Sequence, residues 1–162
     1  MAKTKIKKLE AEMETTLKDL LDRLQVASTI EVTETEPDNY KVNVQTEETG
    51  LLIGYHGETI NSIQLILGVM LYKKLGKWIR VVLDVGDYRK MREDSIKEMV
   101  NRIVAEVESS GQPVNLPFLT PLERRIVHMM LADHPKVSSQ SQGEGRDRRV
   151  MIKLREAVPA EK

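Results

Sequence analysis

The stretch Leu51-Leu52-Ile53-Gly54-Tyr55-His56-Gly57-Glu58-Thr59-Ile60 limits what this chain can fold into more than any other. It follows an alternating run, Tyr40 to Thr46, that reads as a half-buried strand, and it opens an apolar run with helical spacing, Glu58 to Tyr72. Two glycines three positions apart leave the backbone bare where it turns into that helix. A helix start carries N–H groups without intrahelical partners and a partial positive charge, and glycine lets an anion approach both. Such a bend suits the cradling of a phosphodiester backbone.

The segments on either side set the element order. Met13, Leu17, Leu20, Leu21 and Leu24 recur at three- and four-residue steps and predict a helix from about Leu9, with residues 1–9 as a basic leader. Thr29–Thr35 and Tyr40–Val44 alternate on either side of the turn residues Glu36-Pro37-Asp38-Asn39, which predicts two hairpin strands. Ile60, Ile63, Leu67, Met70 and Leu71 keep helical spacing up to Gly76, and Trp78–Asp84 reads as a third strand. Asp87 is placed to cap a long helix ending at Ser109-Ser110-Gly111; its roughly 22 residues reach about 33 Å. Gln112–Pro117 reads as a short strand edge. Thr120-Pro121-Leu122-Glu123 is a strong helix start, and that helix runs to about Asp133 with Leu122, Ile126, Val127, Met130 and Leu131 apolar. Lys136–Gln142 reads as a polar edge strand and Ser141–Asp147 as a loop. Arg149–Leu154 alternates, with Val150, Ile152 and Leu154 inward.

Composition removes several classes of function. The 162 residues hold no cysteine, so disulfides and cysteine zinc sites are excluded. No apolar run approaches the roughly 20 residues that span a bilayer, so a cytoplasmic protein without membrane insertion is expected. Net charge is zero but unevenly spread: residues 10–50 hold eleven acids against three bases, and residues 121–155 hold eight bases against four acids. An anion is drawn to the C-terminal half. Gly50-x3-Gly54-x2-Gly57 is not the dinucleotide fingerprint, and the strand before it alternates rather than being apolar on both faces. His128 and His134 stand on different helix faces, so with Asp133 they make a poor metal set. Ser138, Ser139 and Ser141 lie on a polar segment with no base evident beside them. No catalytic residue, metal or cofactor is expected.

Ile53-Gly54-x-x-Gly57-x-x-Ile60, between a strand and a helix, resembles the signature of the KH domain, and the element order resembles its type II arrangement, α-β-β-α-α-β. That resemblance covers residues 10–86. It implies that Gly54, Tyr55, His56 and Gly57 grip the backbone of about four single-stranded nucleotides. Such loops often carry a lysine or arginine at the two variable positions. Tyr55 and His56 stand there instead, so modest affinity and salt dependence are expected. Aspartates at Gly54 and Gly57 are expected to cut RNA affinity without unfolding the domain.

Arg124-x-x-x-His128 places two side chains on one helix face. With Ser141-x-Gly143, Arg146, Arg148 and Arg149 it resembles the R-three-H domain, over residues 87–155 with the long helix about 87–110 included. A tail would follow at 156–162. The plain alternative is that Arg124 pairs with Glu123 or Asp133 while His128 packs. KH followed by R-three-H resembles the bacterial Jag (SpoIIIJ-associated) family of RNA-binding proteins. Its members usually carry a further small basic N-terminal domain, for which only Lys-rich residues 3–8 could stand here.

The expectation is therefore an α/β (α+β) chain of two small domains joined by a long helix, binding single-stranded RNA or ssDNA. Gly54 to Gly57 form one contact, and Arg124, His128, Arg146, Arg148 and Arg149 the other. The alternative is a protein-interaction module, pairing with another KH-domain protein or as a homodimer.

Overall fold

The computed structural model describes residues 2–155, with side chains from residue 7 onward; the tail expected at 156–162 lies outside the described residues. The chain divides into two compact units, Met1–Arg89 and Lys90–Lys162.

In the first unit, α1 spans Ala2–Arg23. The Lys-rich segment expected as a leader is helical instead. Lysine is a good helix former, and neither glycine nor proline interrupts the run. Met13, Leu17 and Leu21 are fully buried, and Leu9 extends their stripe by one turn. Leu24 falls past the helix end and is 50% exposed. β1 (Thr29–Glu36) and β2 (Asn39–Gln45) form an antiparallel hairpin, with Ile30 opposite Val44 and Val32 opposite Val42. Asp38 adopts φ 61° at its turn.

β3 (Arg80–Val85) lies parallel to β2 and gives the order β1-β2-β3. A parallel neighbour needs a crossover, and here the crossover is helical. It consists of α2 (Thr49–Ile53), a 3₁₀ turn (Tyr55–Gly57) and α3 (Glu58–Leu75). The Gly loop is thus the corner between two helices that must lie on one sheet face. Tyr40, Val42, Val44, Val81, Leu83 and Val85 meet Ile60, Ile63, Leu67 and Leu71 of α3 in the core. α3 stops at Gly76, whose left-handed backbone (φ 70°) sends its N–H to the Tyr72 carbonyl at 2.9 Å.

α4 spans Tyr88–Ser110, and its first two residues belong to the first unit. Asp87 does not cap it as expected. Asp87 sits at φ 58°, whereas a capping residue needs extended backbone. The carboxylate of Asp84, at the end of β3, accepts the N–H of Arg89 at 3.2 Å in its place.

The second unit is built on a three-stranded sheet of order β4-β6-β5, all antiparallel: β4 Val114–Asn115, β5 Val137–Gln142, β6 Arg149–Leu154. Ile96, Val100 and Val107 of α4 share its core with Leu116, Val127, Leu131, Val150 and Ile152. α5 spans Pro121–Leu131, two residues shorter than expected, and begins with the anticipated capping box. The Thr120 N–H donates to Glu123 Oε2 at 2.7 Å, and the Glu123 N–H to Thr120 Oγ1 at 3.4 Å. The box turns Glu123 inward, 7% exposed, and Leu122 outward, 64% exposed, against the apolar reading of Leu122. Leu154, expected inward, ends β6 at 39% exposed. Among the described residues no helix is long and apolar enough to cross a membrane.

Candidate nucleic-acid interface

The corner between α2 and α3 needs left-handed backbone at three of four positions: Gly54 (φ 70°), His56 (φ 50°) and Gly57 (φ 82°). At Gly54 a second demand applies, because an added Cβ would stand 1.9 Å from Thr59 Oγ1. An aspartate there would therefore disturb the corner itself, so a loss of RNA affinity in that variant would not report on the phosphate contact alone. His56 holds its left-handed conformation without glycine's freedom, at a cost of roughly 1–2 kcal/mol. Leu52 and Ile60, both buried, seat the two helices. No side-chain acceptor caps the start of α3; the Gly57 N–H turns back to the Gly54 carbonyl at 3.4 Å and the Glu58 N–H to the Tyr55 carbonyl.

The loop is not equally open along its length. Tyr55 is 71% exposed and touches the His56 ring edge-on, with centroids 4.2 Å apart. Gly54 and His56 are half-buried, and Gly57 is buried. The Tyr88 ring covers it: a Cβ on Gly57 would lie 3.2 Å from Tyr88 Cε1 and 3.3 Å from its hydroxyl. Of the two glycines read as bare backbone, only Gly54 stays accessible.

In the second unit, Arg124, Arg125 and His128 of α5 gather with Ser141 and Arg148 around a shallow depression of about 440 Å³. Arg124 donates to the Leu119 carbonyl at 2.8 Å, which orients its guanidinium. The i, i+4 spacing puts His128 beside it. His128 is held at both ring nitrogens, Nδ1 to Ser139 Oγ at 2.7 Å and Nε2 to Ser141 Oγ at 2.8 Å. Among the described residues none of Arg124, Arg125, Arg146, Arg148 and Arg149 forms an ion pair with a carboxylate. The alternative of an Arg124 pairing with Glu123 fails for a definite reason: Glu123 is taken by Arg92 Nε at 2.7 Å.

The other two arginines stand apart from the depression. Arg149 is folded back, donating to the carbonyls of Arg146 (2.6 Å) and Arg148 (3.2 Å), with its guanidinium 5.5 Å from the Phe118 ring centre. Arg146 lies exposed in the 3₁₀ turn Gly145–Asp147.

The serines do have a base beside them, against expectation. They lie on β5, and Ser139 and Ser141 flank His128. Their i, i+2 spacing on a strand places them on one face, and that is the only local signal of the arrangement. The two serines fix the plane of the His128 ring, one hydroxyl accepting from a ring N–H and the other donating to the second nitrogen, in an order set by the tautomer. Among the described residues no group of three or more metal-ligating side chains comes together.

Comparison with known proteins bears on both surfaces. The model of the KhpA/KhpB KH domain matches residues 10–85, and that of the R-three-H domain matches residues 94–154. A protein of Clostridium symbiosum named RNA-binding protein KhpB is 32% identical over 141 residues, 86% of this chain and 63% of that one. The chain belongs to the KhpB (Jag) family. A KhpB of Lactiplantibacillus plantarum is 35% identical over 114 residues, covering 70% of this chain and 35% of its own. A KhpB of Bacillus subtilis is 25% identical over 114 residues, covering 69% and 55%. The chain thus spans from about a third to under two thirds of the length of these KhpB relatives. The KH match contains Gly54–Gly57, and the R-three-H match contains Arg124, His128 and Arg149. Tyr88 and Arg89 fall between the two.

Proposed function

We propose that this chain binds single-stranded nucleic acid, RNA foremost, through two surfaces. The first is the Gly54–Tyr55–His56 edge of the KH loop, where Gly54 admits a phosphate to the backbone and Tyr55 offers a ring for stacking. Gly57 shapes this edge without touching the strand. The second is the α5–β5 depression, where Arg124, Arg125 and Arg148 supply charge and His128 a polar ring. Arg146 and Arg149, which stand apart from the depression, take a lesser part. The observation that carries the reading is this cluster of arginines, free of internal carboxylates, with Arg124 oriented by a backbone carbonyl. It is an anion site suited to an external partner. The relatives named RNA-binding proteins favour RNA as that partner.

The test is a titration with short mixed-sequence single-stranded RNA and with ssDNA. Tyr55→Asp adds a negative charge at an exposed loop position without meeting Thr59, and Arg124→Ala with Arg148→Ala empties the depression. Each change is expected to weaken binding at unchanged circular dichroism. Wild-type affinity in both variants would end the proposal.

A second reading has its own observation. On α3, Leu65, Ile66 and Val69 are 66%, 46% and 44% exposed, beside Tyr72 stacked on Trp78 at 4.8 Å. A contiguous apolar face of this kind suits pairing with another KH domain, in a second copy or a partner chain. Ultracentrifugation of Ile66→Asp against wild type, with and without RNA, separates the readings. A wild-type dimer abolished by the substitution and indifferent to RNA favours pairing.

A further inference from the structure

We propose that Tyr88, outside both matched domains, is a positioning residue of the KH loop, and that the chain's loop site extends to Tyr88 and Arg89 at the end of the first unit. The inference rests on the loop half of the proposed function and assigns it a part that the KH match, ending at residue 85, leaves out.

The chain reverses sharply to bring Tyr88 to the loop. Gly86 (φ 54°) and Asp87 (φ 58°) are both left-handed, and the Gly86 N–H is tied to the Val44 carbonyl at 3.1 Å. Four further hydrogen bonds hold the turn that follows. Asp84 accepts the Arg89 N–H, Arg89 Nε donates to the Leu83 carbonyl at 2.8 Å, and its Nη2 reaches Gln64 Oε1 at 3.0 Å and Asn61 Oδ1 at 3.3 Å on α3. Gln64 Oε1 in turn accepts the Leu83 N–H at 3.0 Å. α4 therefore starts clamped to β3 and to the helix that the loop opens.

Tyr88 is aimed from this clamp onto Gly57, so closely that a Cβ there would stand 3.2 Å from its ring and the ring would have to give. Its ring also packs on the core of the first unit. The Gly54, Gly57 and Glu58 N–H groups donate to the carbonyls of Gly50, Gly54 and Tyr55, and Tyr88 adds side-chain packing behind Gly57. The ring works as a stop behind Gly57 that keeps the Gly54–His56 edge presented outward. A loop ordered before binding does not lose that freedom on binding.

The full chain tests this with Tyr88→Phe and Tyr88→Ala, read by amide hydrogen exchange at residues 54–58 and by titration with short mixed-sequence single-stranded RNA. Phenylalanine keeps the ring, so wild-type protection and affinity are expected. Alanine should speed exchange at those amides and weaken RNA binding about tenfold. In a Tyr55→Asp background Tyr88→Ala should add nothing, because the loop no longer contributes. Equal loop exchange in Tyr88→Ala and Tyr88→Phe overturns the proposal whatever RNA does. So does an affinity loss that persists undiminished in the Tyr55→Asp background. If Tyr55→Asp itself leaves affinity unchanged, the loop reading fails, and the exchange comparison still decides whether Tyr88 holds the loop. Should Tyr88→Ala unfold, Tyr88→Leu, which fills the space without the flat ring, takes its place with the same expectations.

Discussion

Glu123 receives Arg92 on one carboxylate oxygen and the Thr120 N–H on the other, both at 2.7 Å. One side chain thus closes the start of α5 and ties it to α4. Glu123→Ala removes half of a capping box and leaves a guanidinium that is about a quarter exposed without this acceptor. The expected loss is about 2 kcal/mol, below that of a fully buried pair because Arg92 keeps some water. Urea unfolding followed by circular dichroism measures it, and Glu123→Gln should keep part of the cap. An unmoved alanine midpoint would contradict the assignment.

The two glycines of the α2–α3 region should respond oppositely to alanine. Gly50 lies in α2 with nothing within 4 Å of a new Cβ, so Gly50→Ala should be neutral or stabilising by up to about 1 kcal/mol. Gly54→Ala meets Thr59 and must hold φ 70°, and should cost about 2 kcal/mol or more. Paired thermal melts check the contrast, and similar effects at the two positions would refute it.

The arginine depression predicts a salt signature. Each phosphate contact removed should lower the magnitude of the slope of log affinity against log salt by about one. Arg124→Ala and Arg148→Ala should each do so. Arg149→Ala should change the slope less, because its guanidinium is turned onto Phe118 and two carbonyls. Equal slopes in all three variants would count against the depression as the contact.

Tyr40 gives a prediction in pH. Burial first, and then the Glu34 carboxylate accepting its hydrogen at 2.9 Å, push its phenol up to about 12 from 10.0. Both causes favour the protonated form. Its stabilising contribution is therefore whole below pH 10 and fades as pH rises through about 12. The difference between the alkaline absorbance titrations of wild type and Tyr40→Phe isolates this group. A midpoint near 10.0 would show that neither cause operates.

Features coded locally were legible in the sequence. Periods of two and of three to four residues marked the strands and helices, and Thr120 with Glu123 announced its cap three residues apart. The corner at Gly54 could be read because positive φ excludes most other residues. What escaped depended on distant contacts or on a choice between equals. Asp84 and Asp87 are both placed to serve α4, and only the left-handed turn at Asp87 decides between them. Ser139 meets His128 from 11 residues away across a helix–strand contact, and periodicity alone says nothing of that. Tyr88 over Gly57 is of the same kind, a packing relation between segments that each look complete alone. The helical start of α1 escapes a search for apolar stripes, because lysine-rich turns propagate a helix without one.

The stacked pair Tyr72–Trp78 has a practical consequence. The chain contains a single tryptophan, and it stands 61% exposed beside the apolar face of α3. Tryptophan emission, excited selectively over the four tyrosines, therefore originates at one spot. A partner settling on that face would shift the emission blue, and the indole becomes a native optical gauge of who occupies it.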